Sequence, residues 1–269
     1  MGLAINTNVA ALRIGQQTER TSGLISRTLQ QLSSGKRINR AADDASGLAI
    51  ADQLDALARQ SQTEINSLQS GINFAQTADG ALESQQDATQ RIRELAVQAS
   101  NGTLSQDQRD ALNAEAQQLV QQINDTAQNT QFNGQNVLNQ NTNVTITPDG
   151  NQKVSVNASN AAALGLDSVD LSSAAGAQAA LEQTDTALES INTNRASLGA
   201  QTNGFESAIE TRSVSVVNAR ASESAIRDLD VARASIEKAR ADVLQKTGIS
   251  ALLQTRVTPQ NALRLLGNE

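Results

Sequence analysis

The chain has 269 residues and a net charge of −7, with no His, Cys, Trp or Tyr. That removes the commonest general base, the thiolate nucleophile and the usual zinc and copper ligands, and the near-absence of stacking aromatics argues against nucleic acid. Hydrophobic residues make up 38% of the chain and many are Ala, which suits thin seams between helices better than a thick core.

Taken in order, Met1-Gly2-Leu3-Ala4-Ile5-Asn6 has no basic region, no continuous apolar region and no cleavage site, unlike an ordinary secretory signal. Ile25, Leu29 and Leu32 are spaced four and three, predicting a helix that Ser33-Ser34-Gly35 stops. Arg37 to Ser46 reads as a polar connector, with Asp43 or Asp44 capping the next helix. That helix begins near Ala45 and runs through Ile50, Leu54, Leu57, Ile65, Leu68, Ile72, Ala75 and Leu82. After a stutter it resumes at Ala88, Ile92, Leu95 and Ala99 and ends at Asn101-Gly102. Roughly 55 residues at 1.5 Å each give about 80 Å of helix. Ser105 starts a third helix with Leu112, Ala116, Leu119 and Ile123 on one face.

From about Thr126 to Gly176 the chain is rich in Asn, Thr, Ser and Gly. Within it Val144–Thr147 and Lys153–Val156 alternate with period two around Pro148-Asp149-Gly150-Asn151, a β-hairpin signal. Helix resumes at Ala177, with Leu181, Leu188, Ile191, Leu198, Phe205, Ile209 and Val216 on a seam that Thr184, Arg195, Thr202 and Arg212 interrupt. Ala225, Leu229, Ala232, Ile236, Ala239 and Val243 continue a cleaner alternation. Gly248 and Pro259 are expected to break the last segment, leaving Leu263, Leu265 and Leu266 as an apolar tail.

The expected fold class is mostly α, a long antiparallel helical coiled-coil bundle with a small β-hairpin in the central region. A chain that goes out, turns and returns pairs its first and last helices. Their seams are thin. Burying a Leu or Ile gains roughly 1.5–3 kcal/mol, against about 1–2 kcal/mol of backbone entropy per ordered residue, so an isolated pair nearly breaks even. Both terminal helices are therefore expected to order only when subunits stack.

Several segments resemble bacterial flagellins: Ala4-Ile5-Asn6-Thr7-Asn8, Leu32–Asn39, Ala42–Ala51, Gln90–Gln98, Gln131-Phe132-Asn133-Gly134 and Val257–Leu266. The resemblance implies a D0 helix and connector over 1–44, D1 helices with the hairpin over 45–176, a C-terminal D1 helix over 177–223 and a C-terminal D0 helix over 224–269. It implies no outer domains, hence a thin, smooth filament. It further implies a subunit without cofactor or metal, exported unfolded by the flagellar type III system to an extracellular filament. Implied partners are other copies of itself, an export chaperone on the C-terminal helices, the filament cap and the hook–filament junction proteins.

Ile25, Leu29, Leu32, Leu229, Ile236 and Val243 are the expected D0 assembly seam. Gln90, Arg91, Arg93, Glu94, Leu95 and Glu115 are expected to pack neighbouring protofilaments, and the resemblance makes them candidate contacts for Toll-like receptor 5. Thr89 stands where enteric flagellins carry Leu, which implies a weaker receptor contact. Asp43 and Asp44 read as a cap with an inter-subunit salt bridge to Arg37 or Arg40 rather than as paired acids for chemistry or metal. Asn101-Gly102-Thr103 and Asn157-Ala158-Ser159 fit a glycosylation pattern that has no use outside the general secretory route. A hook–filament junction protein and a signalling coiled coil are the competing readings. The segment at Gln90–Gln98 and the close after Pro259 favour flagellin over the first, and the hairpin-bearing centre disfavours the second. Hydrogen exchange on purified monomer tests the coupled folding: both terminal helices should exchange freely, and strong protection at both ends contradicts it.

Overall fold

The structure, a computed structural model, describes residues 8–266, with side chains from 8 to 255. Among these residues the elements are α1 (Val9–Ser34), α2 (Ala45–Ala99), α3 (Gln106–Asn129), β1 (Gln131–Phe132), β2 (Gln135–Asn136), β3 (Thr142–Thr145), β4 (Lys153–Val156), α4 (Ala174–Arg227) and α5 (Val231–Leu266). They form two compact units, one of Met1–Ala58 with Val217–Glu269 and one of Arg59–Val216. No helix of the described residues is long and apolar enough to cross a membrane.

Helix ends follow the local chemistry. Gly35 leaves α1 in the left-handed region at φ 69°, the expected stop. Asp44 Oδ1 accepts from the Gly47 N–H at 2.9 Å, capping α2. Ser105 and Gln108 form a reciprocal capping box on α3. Arg109 donates to the carbonyls of Ala99, Asn101 and Leu104 at 3.2, 2.9 and 3.1 Å, putting a cation on the negative end of α2.

In the Arg59–Val216 unit, Leu68, Ile72, Leu82, Ile92 and Leu95 of α2 pack in one core with Ile123 of α3 and Ile191, Leu198 and Phe205 of α4. The buried row of α4 is Ala177, Ala180, Thr184, Ala187, Ile191, Asn194 and Leu198, stepping three and four without a fault. Leu181 and Leu188, expected on the seam, are only half-buried beside this row. Thr184 belongs to the row because its hydroxyl donates back to the Ala180 carbonyl at 2.8 Å, leaving its methyl to the core. Ile50 and Leu57 of α2 are also outside, exposed, while Ala51 and Ala58 take the buried face. The spacing was helical in each case, but small residues, which allow close approach, hold the inner row.

The centre is more ordered than its polar composition predicts. β1 and β2 form a hairpin through Asn133-Gly134, both with positive φ (49° and 77°), the Asn-Gly pair that a tight hairpin turn favours. β3 starts two residues earlier than expected and pairs Thr142 with Val156 through Thr145 with Lys153. This hairpin rests on Gly71, where a Cβ would lie 3.1 Å from Ile146 and 3.3 Å from Phe205. The Gln201 amide accepts from the Ser155 N–H (2.8 Å) and donates to the Ser155 carbonyl (3.1 Å), standing in for a third strand. The segment after β4 has no regular structure, yet Leu164, Leu166, Val169 and Leu171 are buried in the core.

In the other unit α1 and α5 run antiparallel. Asn8 Nδ2 donates to the Thr255 carbonyl at 3.2 Å, and at the opposite end the Leu229 N–H donates to the Gly35 carbonyl at 3.0 Å. Two expectations are corrected here. α5 runs through Gly248 and the backbone of residue 259 without a break. Gly248 marks a close approach, since a Cβ there would lie 2.8 Å from Thr18 Oγ1. The break comes instead between α4 and α5, where Ala225, Leu229 and Ala232 predicted continuous helix. Lys36 bridges to Asp228 there, and Asp230 Oδ1 caps α5 by accepting from the Arg233 N–H at 3.0 Å. The Ala4–Thr7 motif and the side chains of Leu263, Leu265 and Leu266 lie outside the described residues. Phe205→Ala is expected to lower the unfolding free energy by about 3–5 kcal/mol in denaturant titration; an unchanged midpoint would put Phe205 outside the core.

Candidate functional site

Among the described residues no three His, Cys, Asp or Glu side chains gather as metal ligands would. A groove of about 560 Å³ between α2 and α4 is lined by Ala75, Asp79, Gly80, Arg195, Leu198 and Gly199 among others. Arg195 spends its guanidinium on Asp79 (2.8 Å) and Gln86 (2.7 Å). Asp79 raises its pKa above the ordinary value, chiefly through that hydrogen bond. The groove presents no activated nucleophile, so the candidate sites are surfaces.

The first surface is the outside of the α1–α5 pair. Along α1 the buried and half-buried residues Ala11, Ile14, Thr18, Thr21, Ile25, Thr28 and Leu32 alternate by three and four. Along α5 the matching row is Ala234, Lys238, Ala241, Gln245, Gly248, Leu252 and Thr255. Only Thr21, Thr28, Ala234 and Ala241 are buried outright in these rows. The hydroxyls of Thr18, Thr21 and Thr28 donate to carbonyls of their own helix at 2.8, 2.9 and 2.9 Å, so nothing polar is stranded in the seam. Many of the large apolar side chains are exposed instead: Leu12 is 60% exposed, Ile236 55%, Val243 63% and Leu253 60%, with Leu24, Leu29, Leu244 and Ile249 also exposed.

Of the expected seam residues, Ile25 and Leu32 lie half-buried in the α1 row, and Leu229 is half-buried at the α4–α5 break. Leu29, Ile236 and Val243 lie on the outer face. Leu12, Leu24, Leu244, Ile249 and Leu253, which the spacing did not single out, are exposed as well. The inner rows mix small residues with Ile14, Ile25, Leu32 and Leu252, and the exposed apolar residues are spread around the rest of each helix without a regular step of three and four.

The second surface is a set of arginine ties in the Arg59–Val216 unit. Arg91 forks between Glu94 on its own helix at 2.9 Å and Glu115 of α3 at 2.8 Å. Hydrogen bonding to Glu115, then to Glu94, raises the Arg91 pKa. Arg93 reaches Asp185 of α4 at 2.6 Å. Gln90 is exposed beside them, while Leu95 is buried beneath. Thr89 is buried too, its hydroxyl donating to the Gln85 carbonyl at 2.7 Å. Further along, Arg212 contacts Glu64 at 2.8 Å and Asp149 of the β3–β4 turn at 3.8 Å.

The acidic pair before α2 acts locally. Asp44 caps the helix; the Gly47 N–H, then the Ser46 hydroxyl, hold its carboxyl below the ordinary value. Asp43 Oδ2 accepts from the backbone N–H groups of Asn39 (3.2 Å) and Arg40 (3.1 Å). Arg37 donates its guanidinium to the Ile226 carbonyl at 2.6 Å, in the last turn of α4.

A family model described as the bacterial flagellin N-terminal helical region matches residues 5–143, and one described as the bacterial flagellin C-terminal helical region matches residues 181–266. A flagellin of Halalkalibacterium halodurans is 36% identical over 277 residues, covering 98% of this chain and 100% of its own. The flagellar filament core protein flaB2 of Brachyspira hyodysenteriae is 34% identical over 284 residues with the same coverage. A crystal structure of Bacillus cereus flagellin aligns at 28% identity and a TM-score of 0.48, covering 54% of this chain and 86% of that one.

The Asp149 carboxylate yields a test. Its pKa is lowered by the Thr147 hydroxyl, then by the Asn151 N–H, with Arg212 adding to both. A depressed carboxylate contributes stability that is complete above the ordinary value of 3.8 and is lost as pH falls below it toward the folded value. Asp149→Asn should therefore destabilise the protein near neutrality and shrink the stability difference between neutrality and about pH 3. Comparing denaturant midpoints of the two proteins checks this; equal acid sensitivity would contradict it.

Proposed function

The chain belongs to the bacterial flagellin family, and on that premise we propose how its parts serve the filament. Flagellins are structural subunits of the flagellum, not enzymes; they polymerise, and they form the extracellular flagellar filament. In our reading residues 1–44 and 224–269 form the D0 portion of this subunit, and residues 45–176 and 177–223 form D1.

The observation that carries this reading is the outward apolar face of α1 and α5. A monomer gains nothing by exposing Leu12, Leu29, Ile236, Val243 and Leu253 to water. Covering them with further copies would gain roughly 1.5–3 kcal/mol for each large side chain fully buried. The assembly seam is thus the outer face, with Leu29, Ile236 and Val243 in it; Ile25, Leu32 and Leu229 hold the pair together from within. Arg91, Arg93, Glu94, Glu115 and Gln90 pack neighbouring protofilaments, with Leu95 fixing α2 from beneath. The same residues make the monomer a ligand for Toll-like receptor 5.

The subunit travels unfolded through the flagellar type III channel, and a chain with no disulfide to reduce and a marginal α1–α5 pair is suited to threading. Before export a chaperone covers the C-terminal helices; at the distal end the cap directs addition, and the first subunits meet the hook–filament junction proteins. Ile236→Asp with Val243→Asp tests the seam. Electron microscopy of seeded protein should show long filaments for the parent and none for the variant, whose denaturant unfolding stays that of the parent Arg59–Val216 unit. Filaments of parental length from the variant would contradict the proposal.

A further inference from the structure

The turn between α2 and α3, Asn101-Gly102-Thr103, is exposed at all three residues and lies apart from the seam and the arginine ties. We infer that Asn101 is a site of spontaneous deamidation, a modification built into this turn by its own geometry.

Asn101 Oδ1 accepts from both the Thr103 N–H (3.0 Å) and the Thr103 hydroxyl (2.9 Å). The first of these bonds closes a small ring that contains Asn101 Cγ and the Gly102 nitrogen, folding the side-chain carbonyl back toward the peptide nitrogen that attacks it. Two donors on one carbonyl oxygen draw electrons from Cγ and hold the negative charge that develops on that oxygen during attack, as an oxyanion hole does. Gly102 has no side chain to hinder the approach, and a Cβ there would meet nothing within 4 Å. The Asn101 carbonyl is itself fixed by Arg109 Nη2 at 2.9 Å and the Leu104 N–H at 3.3 Å, so the ring is held at both ends.

The chemistry needs only water. The Gly102 nitrogen gives up its proton and bonds to Asn101 Cγ. The Cγ–Nδ2 bond breaks, and ammonia leaves with a proton in exchange. Water then opens the resulting imide at one of its two carbonyls, giving aspartate or isoaspartate, with no change of oxidation state. Either product puts a new carboxylate at the negative end of the α2 dipole, where Arg109 already serves three carbonyls. Isoaspartate also adds a methylene to the backbone and displaces those acceptors. An ageing subunit is thereby marked and loosened at this turn.

Asn133-Gly134 supplies an internal control. It is the same dipeptide, but both residues are held in the left-handed region inside the β1–β2 hairpin. The test is to incubate the full-length monomer at mildly alkaline pH and follow amide-to-acid conversion at both asparagines by peptide mass spectrometry. Asn101 should convert well ahead of Asn133. Thr103→Ala, which removes the hydroxyl donor from an exposed position, should slow Asn101 roughly three- to tenfold, and Gly102→Ala should slow it further. An Asn101 that converts no faster than Asn133, or at the parental rate in Thr103→Ala, overturns the inference.

Discussion

The contact on which the rest depends is the seam between α1 and α5, which is built from the wrong residues for a self-sufficient coiled coil. Its inner rows carry Thr18, Thr21, Thr28, Ala234, Ala241 and Gly248, so the backbones approach closely and little apolar area leaves water. Ile14, Ile25, Leu32 and Leu252 are only half-buried in it, and more of the Leu, Ile and Val of these helices lie on its outside. One arrangement thus accounts for two properties: the pair is weak alone, and its exterior is a surface that water disfavours. Polymerisation, the property the family shares, resolves both together.

The Arg59–Val216 unit follows the opposite rule. Its large residues point in: Leu68, Leu82, Ile92, Ile123, Leu198 and Phe205 fill the core, and the segment after β4 adds Leu164, Leu166 and Leu171. Its helices are laced at the surface by Arg91, Arg93, Arg195 and Arg212, each spanning to a neighbouring element. Apart from Arg212 with the buried Glu64, these pairs are largely exposed and contribute little to stability, so they set register more than they add strength. The hairpin follows the same economy of means: Gly71 lets it sit close, and Gln201 supplies the hydrogen bonds of a missing strand.

How much of this could be read from the sequence depended on whether the signal was local. The 55-residue α2, the Gly35 stop, the Ser105 cap and the β3–β4 turn are set by neighbouring residues and were legible. What depended on a distant partner was not. Gly248 looks like a helix breaker until Thr18 is seen against it. The α4–α5 break is fixed by Gly35 and Lys36, some 190 residues away in the chain. Thr184 read as a fault in the seam because the bond that satisfies its hydroxyl is invisible in a hydropathy pattern. On α1 and α5, periodicity gave the helix but could not say which side faced the partner helix.

The central claim, that the outer face of α1 and α5 is an interface awaiting other copies, is open to one direct measurement. The chain has no cysteine, so a single Val243→Cys substitution reports on that face without background. Its rate of reaction with a water-soluble thiol reagent is compared in monomer and in assembled filament. The account predicts rapid labelling in the monomer and strong protection in the filament, while a cysteine introduced at exposed Gln118 of α3 labels in the monomer as fast as Val243→Cys does. Equal reactivity of Val243→Cys in the two states would contradict it.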